Sequence, residues 1–443
     1  MASFSFSFSG DDIEDDSAIG TTQDAAGPPT ASVSNLQGLQ ALPAQGASLV
    51  TPTAAAAAAP AASAFPVQGK PQLPPQRHHL GEMLSKLPSK IAFGLLDVAL
   101  DSRAKSAMPM GGGHSGTSVL RKEPCLIRLP RRELWDVKVQ LMAEEEAEDD
   151  EAGNKQELAP GLGEHDVKTG IYEGGFKSWE SSVDLVKVLL QPPSTTSTPA
   201  LSSVAGAVLS QDGPAHVIEL GCGTALPSLA LFHWACAADP SAKNATRSSR
   251  GHPLSITVAD YNPSVLYLVT LPNFLLTWAL QRRDTSPLLQ QALSFEDEDG
   301  GGDAIGELEL TDEVKEAFCA FLKSSGITLS FLSGGWSAAF VDLLYGPFAV
   351  NTGPTAHTLV LGAETIYSPF ALEIFSVTLL AILQRESGPS TTAMAIIGAK
   401  KLYFGVGGSL DDFVQRMREA GATVNELREE ADGVRRGVVQ CLL

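Results

Sequence analysis

The sequence predicts an α/β fold over residues 165–443, preceded by a largely disordered N-terminal extension over residues 1–164. From about residue 165, short apolar runs alternate with segments of helix length, which is the pattern of a sheet covered by helices. Residues 20–78 are dominated by Ala, Pro, Ser, Gln and Gly, so they carry too little apolar periodicity to offset the entropy of the chain. The acidic run Glu144 to Glu151 separates the two regions as a solvated linker.

Two segments of the N-terminal extension are expected to dock on the globular domain, near residues 80–100 and 119–143. Leu80 to Leu100 carries apolar residues at mixed helical spacing. Leu126 to Leu129 has the pattern of a short strand.

Seven strands are predicted in the globular domain, each a short apolar run bounded by turn residues. They are His216 to Leu220, Ser255 to Asp260, Thr328 to Leu332, Thr358 to Ala363, Ala393 to Ala399, Ala422 to Leu427, and Val434 to Leu442. The interval near 282–326 is predicted to be a loop insertion. Its stretch Glu296 to Gly302 is rich in Asp, Glu and Gly, which is typical of a mobile surface loop.

The chain has 51 acidic and 31 basic residues, which gives a formal charge of -20. Phosphate neutralisation needs basic surface, so this balance disfavours nucleic-acid binding and favours a basic protein partner. Acidity also simply keeps proteins soluble, so charge alone does not identify the partner. The five cysteines are widely spaced without a C-x-x-C pair, which indicates reduced thiols, no zinc site and an intracellular protein.

Membrane and secretory signals are not expected in this chain. The first residues lack the basic and apolar regions of a signal peptide. No uninterrupted run reaches the roughly 18 apolar residues that a membrane helix needs.

The first predicted strand runs directly into Gly221-Cys222-Gly223 and then into the helical stretch Leu226 to Trp234. Glycine permits a tight turn and the close approach of a ligand to bare backbone. A dinucleotide site would have a third glycine where Leu226 stands, so the turn disfavours nicotinamide binding. Glu219 precedes the turn, where it would repel a phosphate and attract a cation such as the amine or sulfonium of S-adenosylmethionine.

Asp260 ends the second predicted strand, at the carboxyl edge where doubly wound sheets bind ligands. Its carboxylate can accept hydrogen bonds from both ribose hydroxyls of a nucleoside. The alternative is that Asp260-Tyr261-Asn262-Pro263 only begins the next helix, with Asn262 as the cap ahead of Pro263. Both interpretations can hold together.

Two further strand ends contribute candidate site residues. Gly335 and Trp336 follow the third strand, where an adenine ring could lie against glycine backbone; alternatively, Trp336 simply fills the core. Ala363 and Glu364 end the fourth strand at the centre of the sheet, where methyl donor and acceptor are expected to meet. Glu364 is therefore the candidate catalytic residue, although an acidic residue at a strand end is otherwise commonly a helix cap.

Five motifs resemble those of histidine protein methyltransferases, in the order that this family shows. They are Ile171-Tyr172-Glu173-Gly174-Gly175-Phe176-Lys177-Ser178-Trp179-Glu180, Asp260-Tyr261-Asn262, Leu271-Pro272-Asn273, Glu364-Thr365-Ile366-Tyr367-Ser368-Pro369 and Lys401-Leu402-Tyr403-Phe404-Gly405-Val406-Gly407-Gly408. Ser3-Phe4-Ser5-Phe6 and Pro130-Arg131-Arg132-Glu133-Leu134 are similar to fungal members. The resemblance covers residues 165–443, with looser patches before them.

The resemblance implies a Rossmann-like methyltransferase sheet of seven strands, with helices on both faces and the last strand antiparallel. It implies transfer of a methyl group from S-adenosylmethionine to one histidine of a large-subunit ribosomal protein, usually at the tele nitrogen. Carried over by motif, Trp179 and Glu180 would flank the cofactor, Gly221 would contact its methionine part, Asp260 and Asn262 its ribose side, and Trp336 its adenine. Glu364 and Tyr367 match the acidic-x-x-aromatic motif of the wider group and are the candidate catalytic residues. The neighbouring residues of the same strand ends complete the predicted cofactor-binding set: Glu219, Gly223, Tyr261, Gly335 and Ala363. The family generally has an acidic residue where Gly335 stands, so backbone, water or another side chain must contact the adenine amino group.

A histidine acceptor suits this chemistry. Imidazole, with a reference pKa of about 6.5, is largely neutral at cellular pH, whereas lysine, at about 10.4, must first lose a proton. In-line methyl transfer then needs mainly orientation and exclusion of water. A carboxylate bonded to the other imidazole nitrogen would fix the tautomer, and Glu364 is the candidate. The loop from Tyr403 through Phe404 to Gly408 is expected either to shape the acceptor pocket or to form a plain glycine turn.

Three alternatives remain open from the sequence. They are a lysine methyltransferase of the same wider group, a nicotinamide oxidoreductase, and a ribosome-assembly binding protein whose acidic tracts shield a basic client. We expect a monomer without a metal, located in the cytoplasm and nucleus, that binds neither nucleic acid nor membranes.

Overall fold

The computed structural model describes residues 69, 71–101, 125–141, 175–193, 199–237, 252–296, 305–346, 357–403, 407–431 and 433–443. These residues belong to one compact unit that spans residues 61–443. Four predicted features lie outside the described residues: most of segment 20–78, the acidic run 144–151, the domain start near His165, and Phe404.

The described residues include fourteen strands. In chain order they are β1 Gln76–His78, β2 Lys90–Leu100, β3 Cys125–Arg132, β4 Leu190–Gln191, β5 Ala200–Leu201, β6 Ala215–Leu220, β7 Leu254–Asp260, β8 Leu293–Glu296, β9 Ile305–Glu309, β10 Ile327–Ser333, β11 His357–Ala363, β12 Ala393–Lys400, β13 Thr423–Glu430 and β14 Arg436–Leu442.

The helices alternate with these strands. In chain order they are α1 Leu80–Ser85, α2 over residues 134–141, α3 Glu180–Leu189, α4 Ser203–Leu209, α5 Leu226–Cys236, α6 Pro263–Val265, α7 Leu271–Arg282, α8 Pro287–Ala292, α9 Asp312–Ser324, α10 Ala338–Leu344, α11 Pro369–Glu386 and α12 Leu410–Glu419. A π-helical turn, Leu266–Thr270, joins α6 to α7, and a 3-10 turn, Arg283–Thr285, follows α7.

All seven predicted strands are confirmed, and they lie in one sheet of order β1-β10-β7-β6-β11-β12-β14-β13. The strands from β10 to β12 in this order are parallel, and β14 lies antiparallel between β12 and β13. The predicted antiparallel last strand is therefore confirmed.

The sheet is covered by helices on both faces, as predicted. Successive side chains of a strand point to opposite faces, and Val217 and Ile218 of β6 accordingly belong to two different buried clusters. The Val217 cluster includes residues of α3, α5 and α7, and the Ile218 cluster includes residues of α10, α11 and α12.

The N-terminal extension contains regular structure that the sequence did not indicate. Residues Gln76–His78, which lie within the segment predicted to be disordered, form β1 and pair antiparallel with β10 at the edge of the main sheet. The helical spacing of apolar residues from Leu80 to Leu100 corresponds to a helix only in α1, Leu80–Ser85. Lys90–Leu100 is a strand instead, because β3 pairs with it on one side and β9 on the other. Leu126 to Leu129 lies within β3, as predicted.

The segment near 282–326 is not the loop insertion that was predicted, because its described residues form α8, β8, β9 and α9. Strands β8 and β9 complete a four-stranded antiparallel sheet of order β3-β2-β9-β8. Helix α9 buries Val314, Phe318 and Leu322 along one face, which anchors it to the core. The insertion and the N-terminal extension thus form one sheet that neither could form alone. Residues 297–304 lie outside the described part of the chain.

The run Pro263–Thr285 is long and apolar enough, by length and composition alone, to cross a membrane. In this fold, 83% of its most apolar window is buried, as in the core helix of a globular domain. The run is therefore weak evidence for a membrane segment.

Candidate functional site

The glycine turn between β6 and α5 has a left-handed backbone conformation, which residues with side chains rarely adopt. Gly221 and Gly223 have φ values of 66° and 50°, and Ala225 follows at 59°. A Cβ atom built on Gly221 would lie 2.7 Å from Cγ2 of Thr365. The turn therefore needs glycine at position 221 both for its left-handed backbone and for its close packing.

Glu219 is buried at the end of β6, and its carboxylate accepts a hydrogen bond of 2.9 Å from the backbone amide of Ser228. Ser228 is the third residue of α5. Ala225 precedes this helix and has no side-chain oxygen that could accept a hydrogen bond from the free amides of its first turn. Glu219 thus supplies the helix cap from a distance. Burial raises the pKa of Glu219 to about 7, although the Ser228 hydrogen bond lowers it.

Asp260 lies beside the turn at the end of β7, as predicted. Its two carboxylate oxygens accept hydrogen bonds from the backbone amides of Gly223, at 3.0 Å, and Asn262, at 3.1 Å. Burial raises its pKa to about 6, and these backbone hydrogen bonds lower it. Asn262 is the residue ahead of α6, as predicted, but its side chain does not cap that helix. Asp260 therefore holds the turn and the start of α6 together.

The signature before the domain packs directly on the glycine turn. A Cβ on Gly223 would lie 3.2 Å from the backbone oxygen of Gly175, so the two glycines meet backbone to backbone. The hydroxyls of Ser178 and Thr224 are 2.9 Å apart. The end of the signature therefore meets the turn at two points, although residues 171–174 lie outside the described range.

Trp179 and Glu180, both predicted to flank the cofactor, lie at the start of α3. The ring of Trp179 is 39% exposed, and the Lys400 ammonium lies 5.5 Å from its centroid. The exposed carboxylate of Glu180 forms an ion pair of 3.0 Å with Arg436 of β14. The structure thus gives Glu180 a partner on the last strand, and its cofactor role stays a prediction.

Glu364 follows β11 with a φ of 57°, which is rare for a residue with a side chain. Its carboxylate accepts hydrogen bonds from the hydroxyls of Ser181 and Tyr403. Its backbone amide donates to Gly398 at 3.0 Å. Burial raises the pKa of Glu364, while the two hydroxyls and the positive charges of Lys400 and Arg436 lower it. A fixed, desolvated carboxylate in strained backbone is typical of a functional site.

Tyr367 follows Glu364 by three residues, and Tyr403 contacts the Glu364 carboxylate. Burial, and then the negative charge of Asp260, raise the pKa of Tyr367 to about 12. Tyr403 was predicted to line the acceptor pocket, and it is buried with its hydroxyl on Glu364. Its backbone amide donates to the carbonyl of Gly408, and the Gly407 amide donates to the Tyr403 carbonyl.

Gly335 and Trp336 follow β10, as predicted. The Gly335 amide donates a hydrogen bond of 2.8 Å to the carbonyl of Leu73. The Trp336 ring packs edge-on against Phe375 of α11, with 5.3 Å between centroids, and it also approaches Gly221. Both interpretations of Trp336 therefore have support, because one ring fills the core and borders the turn.

Two residues that the sequence analysis did not select, Asn273 and Thr270, donate side-chain hydrogen bonds to backbone carbonyls of the turn. The Asn273 side chain donates to the carbonyl of Thr224 at 3.1 Å and accepts from the backbone amide of Arg132 at 2.8 Å. Thr270, which ends the π-helical turn, donates to the carbonyl of Gly223 at 2.7 Å. The signal for Asn273 was its motif, Leu271-Pro272-Asn273, which shows a pattern but not a contact.

Comparisons with known proteins identify relatives of this chain. No family model matches the chain. The protein named Histidine protein methyltransferase 1 from Saccharomyces cerevisiae is 36% identical over 287 residues, which is 64% of this chain and 67% of that protein. The protein of the same name from Schizosaccharomyces pombe is 28% identical over 351 residues, or 79% of this chain and 78% of that protein. Among solved structures, a precorrin-6y C5,15-methyltransferase from Geobacter metallireducens is 12% identical with a TM-score of 0.25, covering 54% of this chain and 85% of that chain, and this likeness is too low to bear on function.

Proposed function

We propose, from the premise that this chain belongs to the histidine protein methyltransferase family, that its acceptor is one histidine of a large-subunit ribosomal protein. The chain is an S-adenosylmethionine-dependent protein methyltransferase by that membership. The ribosomal acceptor and the tele nitrogen are the parts that we add.

The residues at the carboxyl edge of the sheet fit the cofactor. Gly221 and Gly223 carry no side chains, so a ligand can approach the backbone of the turn closely. The Thr365 hydroxyl beside it is buried and has no hydrogen-bond partner among the described residues. The Asp260 carboxylate accepts two backbone amides, and an ionised carboxylate has about four lone-pair sites, so it can also accept the ribose hydroxyls.

When bound, S-adenosylmethionine supplies an electrophilic methyl group on a sulfonium, which a neutral imidazole nitrogen can take. The chain has to orient the imidazole and to keep water out. The observation that carries our assignment is the buried carboxylate of Glu364, which Ser181 and Tyr403 hold at the centre of the sheet edge.

We propose that the Glu364 carboxylate accepts a hydrogen bond from the pros nitrogen of the acceptor imidazole, and that it takes this proton once methylation has made the ring cationic. With that nitrogen donating to the carboxylate, the tele nitrogen keeps its lone pair and becomes the nucleophile. The hydrogen bonds from Ser181 and Tyr403 leave the carboxylate oxygens with lone pairs for this further donor. Burial of Glu364 makes each such hydrogen bond stronger than it would be in water.

The partner that we propose is a basic protein. The chain carries a formal charge of -20, which favours a cationic client and opposes binding to nucleic acid. We further propose that the enzyme acts as a monomer in the cytoplasm and nucleus, without binding a membrane. The five dispersed cysteines support an intracellular location.

The test is to incubate the full chain with methyl-labelled S-adenosylmethionine and purified large-subunit ribosomal proteins, and to identify the labelled amino acid after hydrolysis. We expect tele-methylhistidine in one protein band. The Gly221→Arg variant is the control, because its side chain cannot enter the turn. Methyl-lysine would refute the histidine acceptor, and label in no ribosomal protein would refute the substrate class. A Gly221→Arg variant with full cellular function would favour the ribosome-assembly binding role.

A further inference from the structure

Residues 71–78, here called the N-terminal strap, cross the carboxyl edge of the main sheet. The backbone amide of Leu73 donates a hydrogen bond of 3.0 Å to the hydroxyl of Tyr261, next to Asp260. The carbonyl of Leu73 accepts a hydrogen bond of 2.8 Å from Gly335. The strap therefore bridges two strand ends that carry predicted cofactor-binding residues.

The other end of the strap is fixed to the sheet. Gln76–His78 pairs antiparallel with β10. The Arg77 guanidinium donates to the carbonyl of Leu343 at 2.7 Å, and the His78 ring and the Ser333 hydroxyl are 2.7 Å apart. These contacts fix the strap to the sheet and so position residues 72 and 73 beside the end of β10.

Gln72 stands where a side chain of residue 335 would stand. A Cβ built on Gly335 would overlap the carboxamide oxygen of Gln72 and would lie 2.9 Å from its Cβ. A Cβ on Gly334 would lie 2.7 Å from the carbonyl carbon of Pro74. The chain thus has two glycines at the end of β10 and brings a polar side chain to the same place from the strap.

We propose that Gln72 is the residue that recognises the adenine base of the cofactor. A carboxamide presents one acceptor and one donor side by side, which complements the adenine N6 amino group and N1. Gly335 has no side chain for this contact, and the Gln72 oxygen lies against it. The inference rests on the proposed function for the position of the adenine, between Asp260 and Trp336.

The test measures binding by calorimetry with two probes, S-adenosylhomocysteine and its analogue that lacks the 6-amino group. We expect the unaltered protein to bind the amino form about fivefold to tenfold more tightly, as for one hydrogen bond. The Gln72→Ala variant should lose this preference, whereas Gln72→Glu, which keeps an acceptor oxygen, should retain it. Gln76→Ala is the matched control, because Gln76 is an exposed glutamine in the same strap.

The outcomes separate this inference from the proposed function. Unchanged affinity and unchanged amino preference in Gln72→Ala would overturn the role of Gln72 and leave the cofactor site intact. Failure of both the unaltered protein and Gln76→Ala to bind S-adenosylhomocysteine would overturn the cofactor site, and the inference with it. Loss of the preference in Gln72→Ala alone, with the thermal midpoint unchanged, would support the inference.

Discussion

Replacing Glu219 by Gln tests whether the carboxyl below the glycine turn is neutral in the folded protein. Glutamine keeps an acceptor oxygen for the Ser228 amide but cannot ionise. Burial raises the pKa of Glu219 from 4.5 to about 7. Below pH 4.5 the group is protonated in both the folded and the unfolded chain, so it favours neither state. As the pH rises towards 7, only the unfolded chain ionises freely, and stability is lost.

The magnitude follows from the difference between the two pKa values. Each pKa unit corresponds to about 1.36 kcal/mol, so ionisation at Glu219 costs the folded state about 3 kcal/mol once the pH exceeds 7. The unaltered protein should therefore lose about 3 kcal/mol relative to Glu219→Gln between about pH 4 and about pH 8. Asp260 also has a raised pKa and is present in both proteins, and its negative charge is one of the causes that raise the pKa of Glu219.

The assay is reversible urea unfolding at both pH values, with Glu316→Gln as a control at an exposed carboxyl of α9. As the pH rises, the free energy of unfolding of Glu219→Gln should increase relative to that of the unaltered protein. The free energy of unfolding of Glu316→Gln should change with pH as that of the unaltered protein does. Parallel pH profiles for Glu219→Gln and the unaltered protein would show that Glu219 titrates normally, and the burial argument would fail.

Three further predictions concern Gly221, Glu364 and Asn273, each with a matched comparison variant. Gly221→Ala should lower the free energy of unfolding in urea by at least about 1–2 kcal/mol and weaken S-adenosylhomocysteine binding. Gly433 has a φ of 71° and no atom within 4 Å of an added Cβ, so Gly433→Ala should cost only the strain of the left-handed backbone and leave binding intact. Equal losses of binding in the two variants would contradict crowding at the turn. Glu364→Gly and Glu364→Ala should both lower the methylation rate about 10²–10⁴-fold. Because residue 364 has a φ of 57°, Glu364→Gly should have a free energy of unfolding about 1–2 kcal/mol higher than Glu364→Ala. Equal stability of the two variants would mean that the backbone there is not strained. Asn273→Ala should lower the free energy of unfolding by about 3 kcal/mol, because it leaves two buried backbone groups unpaired, whereas exposed Asn425→Ala should change it by less than about 0.5 kcal/mol; similar values would contradict the bridging role of Asn273.

The strands of the main sheet could be predicted because they are buried on both faces. Every residue of β6 and of β7 is buried, so each strand is recognisable as an apolar run. Strand β2 could not be predicted in this way. Its burial alternates only at its end, and its partners β3 and β9 lie far apart in the sequence. The sequence of one strand does not specify which distant strands will pair with it.

The candidate site divides along the same line. Asp260 and Glu364 could be selected because parallel strands bring their carboxyl ends to one edge, which is where open α/β sheets bind ligands. Ser181, Asn273 and Gln72 carry no comparable signal. A serine or an amide gains a role only when the fold supplies its partner. The Asn273 side chain accepts from the Arg132 amide, 141 residues away, and Ser181 donates to Glu364, 183 residues away.

The N-terminal extension belongs to the site, although composition places a boundary near residue 165. The backbone of Arg132 holds Asn273, which in turn holds Thr224 of the glycine turn. The strap holds Tyr261 and Gly335 through Leu73. A chain that began at residue 165 would keep the seven predicted strands but would lose both sets of contacts. Composition indicates which segments have enough apolar residues to form a core. It does not indicate which distant segments supply hydrogen-bond partners for the backbone groups of the turns in a binding site.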